Sequence, residues 1–309
     1  MSKTKSYNKQ TFISLFNSIA RHKHRYSVFN DFVTMSAIAL HNAVNMTESL
    51  EKEYLEIVGK YSKEEVNQFC ELLANFIELS EPEPRDILGN LYMELELGNL
   101  NNGQFFTPHE ISLLMSKLVY GDVLENMTQP FITLSEPACG AGGMVLAFVN
   151  EMLKKSMNPA EKLFVQCIDI DRLAGFMCYL QLSIWHIPAE VIIGNTLTLK
   201  FREVYYTPAY YLMGWDNRLR ARKLTDVISS LIGASDEPKT EKPTNGMAQP
   251  EIVEQKPEIN LSETVVIGSN VLPVIATPKT KKQTQNKQKG DSTLGFQSTI
   301  FDLIVDHEK

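Results

Sequence analysis

A glycine-rich segment at residues 134–144 carries the clearest chemical signal in the chain. It reads LSEPACGAGGM, an apolar run that ends at Glu136 and continues into a turn containing Gly140 and Gly142. Glycines at a strand-to-helix turn let the backbone approach a nucleotide-like ligand, and the next helix directs free N–H groups at it. A dinucleotide site favours a third glycine where this chain has Val145. The carboxylate before the turn instead suits a cationic methionine group. The segment therefore predicts an S-adenosylmethionine site, and the alternative is an ordinary tight turn.

Polar residues also follow the next two apolar runs. Asp169 and Asp171 end the segment CIDID, and Asn195 stands in GNTL. A carboxylate at the end of the second strand accepts hydrogen bonds from ribose hydroxyls, and Asp169 is our first candidate for that role. Asp171 either shares it or caps the helix that follows. The Asn195 amide either contacts the adenine of the cofactor or belongs to a plain strand-to-loop turn.

The elements that must position these residues fall into two regions with different sequence patterns. Residues 1–100 show helical periodicity, with a capping box formed by Ser62 and Glu65 and a later helix that follows Pro84. Residues 101–230 open with another helix-start signal at 107–110 and then alternate between short apolar runs and helical patterns. The expected strands are 131–134, 163–168, 191–193 and 203–206, with helices at 144–155 and 172–185.

This alternation predicts an α/β fold with a doubly wound, mostly parallel, Rossmann-like sheet and a helical N-terminal region. Ligands of such a sheet bind at the carboxyl ends of its strands. Residues 231–293 are rich in Pro, Lys, Thr, Gln and Asn, which predicts a disordered linker. The exception is residues 264–275, which are predicted to form a hairpin. Residues 294–309 form a short apolar terminal segment.

Composition narrows the class of protein. The net charge of −7 disfavours coating of nucleic acid by bulk electrostatics, so any DNA contact must be local. Four cysteines without C-x-x-C spacing indicate reduced thiols, as in a cytoplasm, and no metal site. The longest apolar region, 28–46, contains polar residues and predicts an amphipathic helix instead of a membrane span.

Several motifs in a fixed order make the prediction more specific. They are DILGNLYMELEL, GQFFTPHEISLLM, EPACGAGGM, CIDID and GNTL, all within residues 84–198. In this order they resemble the modification subunit of type I restriction-modification systems, an adenine-N6 DNA methyltransferase. The resemblance implies S-adenosylmethionine as cofactor, DNA as substrate and a separate specificity subunit as partner.

The resemblance also implies which residues hold the cofactor. The helix start would line its methionine end, Glu136 would face its cationic part, and small residues in the turn would allow backbone approach. A capped helix N-terminus can present N–H groups to a carboxylate, which agrees with the first of these roles. The residues so implied are Gln104, Phe105, Phe106, Thr107, Pro108, Glu136, Ala138, Gly140 and Gly142.

The chain departs from the family at the catalytic motif. These enzymes carry Asn-Pro-Pro and an aromatic residue after the fourth strand, and no N-P-P occurs in this sequence. Thr207, Pro208 and Tyr210 stand in the expected place, where Tyr210 would stack on a flipped base and Thr207 would keep one acceptor oxygen. Losing one preorganised polar contact lowers a rate by roughly 10²–10³. The compact pattern also fails near Ile232, before the further strands of the family's sheet, which predicts an open sheet edge unless a partner or the hairpin at 264–275 covers it.

Candidate DNA contacts come from a local basic cluster, whose alternative is a solvated helix face. Its members are Arg218, Arg220, Arg222 and Lys223, supported by Lys200 and Arg202. We expect a DNA adenine-N6 methyltransferase or modification subunit. The alternative is a weak or inactive methyltransferase-like protein that binds cofactor, DNA or a partner subunit. A third hypothesis is an adaptor whose residues Gln297 to Phe301 resemble peptides that bind the bacterial sliding clamp.

Overall fold

The computed structural model describes residues 8–97, 106–233 and 264–266. The helices are α1 Lys9–Ser18, α2 Arg25–Val44, α3 Glu48–Val58, α4 Lys63–Ser80, α5 Leu88–Glu94, α6 His109–Glu125, α7 Gly143–Lys154, α8 Pro159–Lys162, α9 Arg172–Ile184, α10 Pro208–Leu212 and α11 Trp215–Gly233. The strands are β1 Ile132–Glu136, β2 Leu163–Asp169, β3 Ala189–Asn195, β4 Lys200–Tyr206 and β5 Thr264–Val266.

The N-terminal region is helical, as its periodicity predicts. The Ser62 hydroxyl accepts from the Glu65 N–H, and the Glu65 carboxylate accepts from the Ser62 N–H, so the predicted capping box starts α4. Helix α5, which is the helix predicted after Pro84, begins at Leu88 and ends at Glu94. Helices α2, α4 and α5 all pack against α9, which attaches this region directly to the α/β part.

The sheet has the order β4-β3-β2-β1-β5. The β5–β1, β1–β2 and β2–β3 pairs are parallel, which confirms the predicted mostly parallel α/β class. Strand β4 runs antiparallel to β3, with Tyr206 opposite Glu190 and Lys200 opposite Asn195. The residues after β4 therefore lie at the edge of the sheet where β3 begins, and not where it ends.

Successive side chains of β2 enter two different cores, so both faces of the sheet are covered. Val165 joins the large core that runs from α1 through α7 and α9 to the sheet. Phe164 points the other way and packs with Phe131, Tyr210 and Trp215 beneath α10 and α11. Two covered faces explain the nearly continuous apolar runs in the strand sequences.

One edge of the sheet is extended by β5, which pairs with β1 in parallel through Thr264 to Val266. The predicted hairpin at 264–275 is described only over these three residues. The remaining linker and the clamp-like peptide Gln297 to Phe301 lie outside the described residues. Over the described part of the chain, no helix has both the length and the apolarity needed to cross a membrane.

Candidate cofactor site

The glycine turn lies at the carboxyl end of β1 and leads directly into α7. Gly140 has φ +54° and Gly142 has φ +92°, which is a region that residues with a Cβ rarely adopt. A Cβ on Gly140 would lie 3.2 Å from the Phe106 ring, and one on Gly142 would lie 3.0 Å from the Cys178 Sγ. Both positions therefore require glycine for backbone conformation and for packing.

Asp169, at the end of β2, is bonded to this turn. Its Oδ2 accepts from the Gly140 N–H at 2.8 Å, and its Oδ1 accepts from the Asp171 N–H at 2.9 Å. The carboxylate is only partly buried, and burial raises its pKa although the backbone donors act in the opposite direction. Two stretches that the sequence placed at separate strand ends thus meet at one edge of the sheet, and the acid has a fixed orientation there.

Glu136, the last residue of β1, is buried at the same edge of the sheet. Its side chain is 6% exposed, and its Oε1 accepts from the Ala138 N–H at 3.1 Å, while its Oε2 is buried without a partner. Burial raises the pKa of this carboxyl to about 7, and the charge of Asp169 adds to the shift. A buried, unpartnered carboxylate oxygen is costly, and a cationic ligand group would relieve that cost.

The loop after β3 reaches the turn from the other side. The Thr196 hydroxyl donates to the Pro137 carbonyl at 2.6 Å, which ties the end of β3 to the end of β1. The Asn195 Oδ1 accepts from the Thr198 N–H at 3.1 Å, so this side chain holds its own loop. The Asp171 carboxylate accepts from the Leu173 N–H at 3.0 Å and caps α9, which is the alternative that the sequence left open.

Of the predicted helix-start residues, Gln104 and Phe105 lie outside the described part of the chain. Phe106 is half-buried, with its ring over Gly140 and edge-on to Tyr92 at 5.6 Å. Thr107 and Pro108 are exposed just before α6, which begins at His109. The described part of this segment therefore lies beside the glycine turn.

Sequence reasoning missed the residue that joins the turn to the helical region. The oxygen of the buried Gln181 amide accepts from the N–H groups of Ile87 at 2.7 Å and Leu88 at 3.1 Å. Its nitrogen donates to the Asp86 carboxylate at 2.9 Å and to the Ala141 carbonyl at 2.7 Å. Burial raises the pKa of Asp86. A glutamine within an apolar helical pattern was the available signal, because such a residue must find partners once buried.

The expected catalytic residues lie at the opposite edge of the sheet. The Thr207 hydroxyl is fully buried, donating to the Ile187 carbonyl at 2.7 Å and accepting from the Ala189 N–H at 2.9 Å. Pro208 starts α10, and Tyr210 stacks on Tyr206 with ring centroids 4.3 Å apart. The antiparallel direction of β4 causes this placement. Thr207, Pro208 and Tyr210 follow the fourth strand, as expected, but they lie at the edge of the sheet away from the glycine turn.

The predicted basic residues separate between the two edges of the sheet, with the cluster on α11 and its supporting pair on β4. Arg218 lies over the Trp215 ring at 3.9 Å and donates to the Glu161 carbonyl at 2.6 Å, and Arg222 donates to the Phe131 carbonyl at 3.4 Å. Glu161 and Phe131 immediately precede strands, so both arginines are held at the edge away from the glycine turn. Arg220 pairs with Asp216 on the surface of α11.

The remaining basic residues separate in the same way. Lys223 is exposed on α11, further along the same helix. Arg202 donates to the Ile170 carbonyl at 2.7 Å, and Lys200 lies opposite Asn195 in the sheet. The supporting pair, and not the main cluster, thus stands at the edge that carries the glycine turn.

Comparison with known proteins finds a family model that matches part of the chain. Residues 83–217 match the family model described as N-6 DNA methylase. The match spans the Asp86 segment, the glycine turn and the three strand ends, and it supports the methyltransferase family that the motif order indicates. No curated protein gives a significant match.

Among solved structures, a Listeria monocytogenes protein described as a class I S-adenosylmethionine-dependent methyltransferase is similar at 14% identity and a TM-score of 0.32. The similarity covers 58% of this chain and 51% of that one, so it spans about half the length of the solved protein.

Proposed function

We propose that the chain binds S-adenosylmethionine at the carboxyl edge of its sheet and serves in the methylation of adenine N6 in DNA. It acts as a methyltransferase or as the modification subunit of a type I-like restriction-modification system. One observation carries the proposal. Glu136 keeps a buried oxygen without a partner at the edge where the Asp169 carboxylate holds the glycine turn.

The residues at this edge suit the parts of the proposed ligand. Glu136 offers its free oxygen to a cationic ammonium or sulfonium group. Asp169 has its carboxylate fixed by two backbone N–H groups and can still accept from ribose hydroxyls through its remaining lone pairs. Ile170 is 60% exposed beside it and offers an apolar surface to an adenine ring. When bound, the cofactor supplies an electrophilic methyl group.

DNA recognition falls to residues at the same edge and to a partner. Lys200 and Arg202 are the basic residues closest to the site and would contact phosphates. Adenine N6 is a poor nucleophile that needs a hydrogen-bond acceptor and a stacking ring, and Thr207 and Tyr210 are held at the far edge. We therefore assign base binding and sequence choice to a specificity subunit or to another methyltransferase subunit.

A second function is favoured by one specific observation. Both bonding directions of the Thr207 hydroxyl are used inside the fold, and the chain contains no N-P-P. A protein that binds the cofactor, DNA or a partner subunit without turnover agrees with this. The clamp-binding hypothesis rests on Gln297 to Phe301 alone, and a chain that ends at Gly290 with unchanged partner binding would remove it.

A paired assay distinguishes the two functions. Labelled S-adenosylmethionine is titrated against the protein, and methyl incorporation into mixed DNA is then followed with and without candidate partner subunits. Asp169→Ala should lose cofactor binding, whereas Asp171→Asn should keep it because Asn also caps a helix. Binding together with incorporation supports the enzyme. Binding without incorporation supports the second function, and absence of cofactor binding by the folded wild-type protein refutes the proposed cofactor site.

A further inference from the structure

Three cysteine side chains converge directly beneath the glycine turn. Cys139 belongs to the turn, Cys167 to β2 and Cys178 to α9, and their sulfur atoms all lie within 4.8 Å of one another. Cys139 is 6% exposed, and the other two are fully buried. All three are free thiols, and the proposed cofactor site does not use them. Their wide separation in the sequence explains why spacing alone predicted no metal site.

The positions of the sulfurs suit a metal ion after a small contraction. An ion held by three sulfurs at about 2.3 Å, as in zinc–thiolate sites, places them about 4 Å apart. The observed distances between the sulfur atoms therefore need to shorten by only about 1 Å or less. The frame around the cluster is fixed, because the Cys139 N–H donates to the Ile168 carbonyl at 2.9 Å and Gly142 packs against Cys178.

The local charge also favours a cation. Hydrogen bonds among the three thiols shift their pKa values in both directions, and burial together with the negative charges of Asp169 and Glu136 raises those pKa values well above the ordinary range. Thiols in this environment remain protonated on their own. A positive ion reverses the balance, since it stabilises thiolates that burial otherwise disfavours.

We propose that Cys139, Cys167 and Cys178 form a three-sulfur site for a thiophilic d10 metal ion. Soft thiolate ligands select such ions over magnesium or calcium. On binding of a divalent ion, three S–H bonds break, three sulfur–metal bonds form and three protons pass to solvent. The bound ion would join the glycine turn, β2 and α9, and would rigidify the turn whether or not the protein binds S-adenosylmethionine.

Cadmium is the probe for this site. Reduced wild-type protein is loaded with Cd²⁺, passed through a desalting column and analysed for metal content and for ultraviolet thiolate-to-metal absorption. We expect about one Cd²⁺ per chain, the absorption band of a thiolate complex and a higher Tm. Cys139→Ser, Cys167→Ala and Cys178→Ala should each lose the band. Cys70→Ala is the matched control, because Cys70 is buried in α4 outside the cluster, and it should keep both band and stoichiometry.

X-ray absorption spectroscopy of Cd²⁺-loaded wild-type protein gives a readout that does not depend on the variants folding. Three cadmium–sulfur contacts are expected for the proposed site. The proposal is overturned if the reduced, folded wild-type protein retains no stoichiometric Cd²⁺. It is equally overturned if the ion has oxygen and nitrogen neighbours, or if Cys70→Ala loses the band.

Discussion

Glu136 is the residue with the clearest energetic signature. Its carboxyl is buried, one oxygen has no partner, and burial raises its pKa to about 7 from an ordinary value of 4.5. A carboxyl whose pKa rises on folding favours the folded state at low pH. That contribution is lost as the pH rises from the ordinary value through the folded-state value. The ionised Glu136 carboxylate therefore lowers the free energy of unfolding of the ligand-free protein. A bound cationic group would relieve this cost.

The first prediction concerns Glu136→Gln. The free energy of unfolding of the variant, relative to wild type, should rise between pH 4.5 and pH 7 by about 3 kcal/mol, because the amide does not ionise. Urea unfolding of the ligand-free proteins at a series of pH values measures this difference. Glu81→Gln makes the same change at an exposed position and serves as the control for the substitution itself. A difference for Glu136→Gln that does not change with pH would contradict the assigned burial.

The site residues were predictable to different degrees. Glu136, Gly140 and Asp169 stood out because a strand end, a turn and an acid follow one another at spacings that require a particular chemistry. Asp171 was open between ribose binding and capping, and the structure shows the cap. The convergence of three cysteines was not predictable, because no sequence rule states which thiols of separate elements face one another.

At the scale of elements, Gln181 links the helical region to the glycine turn. Its amide makes four hydrogen bonds to Asp86, Ile87, Leu88 and Ala141, so removing it leaves several buried polar groups without partners. The network fixes the loop before α5 against the start of α7. It explains how a helical region without site residues of its own contributes to the geometry of the turn.

The second prediction is that Gln181→Leu costs about 3–5 kcal/mol of the free energy of unfolding, since three or more buried groups lose their partners. Denaturant titration measures the loss. Gln166→Leu, in β2, is the control. The Gln166 amide makes one hydrogen bond, to the Glu190 carboxylate at 2.8 Å, so this variant should lower the free energy of unfolding by about 1 kcal/mol. Equal losses for the two variants would show that the Gln181 network has no special role.

Helix α11 gives the third prediction. Arg218 stacks on Trp215 and bonds the Glu161 carbonyl, so Arg218→Ala should lower the free energy of unfolding by about 1–2 kcal/mol. Arg220→Ala removes only a surface pair with Asp216 and should change it by about 0.5 kcal/mol or less. Thermal unfolding of both variants supplies the comparison. A larger effect at Arg220 would reverse the assignment of structural and surface arginines.

Element positions and element directions differ in how well the sequence predicts them. The buried runs gave β1, β2 and β3 nearly at their observed bounds, because strands covered on both faces read as continuous apolar segments. The direction of β4 depends on its pairing with β3, and nothing local to its sequence specifies that pairing. This one property moved Thr207, Pro208 and Tyr210 to the far edge of the sheet.

At the scale of the whole molecule, the two edges of the sheet carry different residues. The carboxyl edge has Glu136, Asp169, Lys200 and Arg202, while the opposite edge has Arg218, Arg222 and the aromatic cluster around Trp215. DNA that presents a base to the proposed site must approach the carboxyl edge. The net charge of −7 makes local positive residues there decisive for contact with phosphates.

The fourth prediction follows from this division. Lys200→Ala combined with Arg202→Ala should weaken DNA binding and lower its salt dependence, because two phosphate contacts are lost. Arg220→Ala combined with Lys223→Ala removes the same charge from the surface of α11 and should have less effect. Fluorescence anisotropy with labelled duplex DNA at two salt concentrations measures both. Stronger loss from the α11 pair would place DNA at the other edge.

The measurement that tests the central claim most directly is a calorimetric titration of S-adenosylmethionine into wild-type protein and Asp169→Ala, with Asp171→Asn as the folded control. We predict one binding site per chain for wild type and Asp171→Asn, and at least a tenfold weaker affinity for Asp169→Ala, equivalent to about 1.4 kcal/mol or more. Equal affinity of Asp169→Ala and wild type would contradict the assignment of the cofactor to this edge of the sheet.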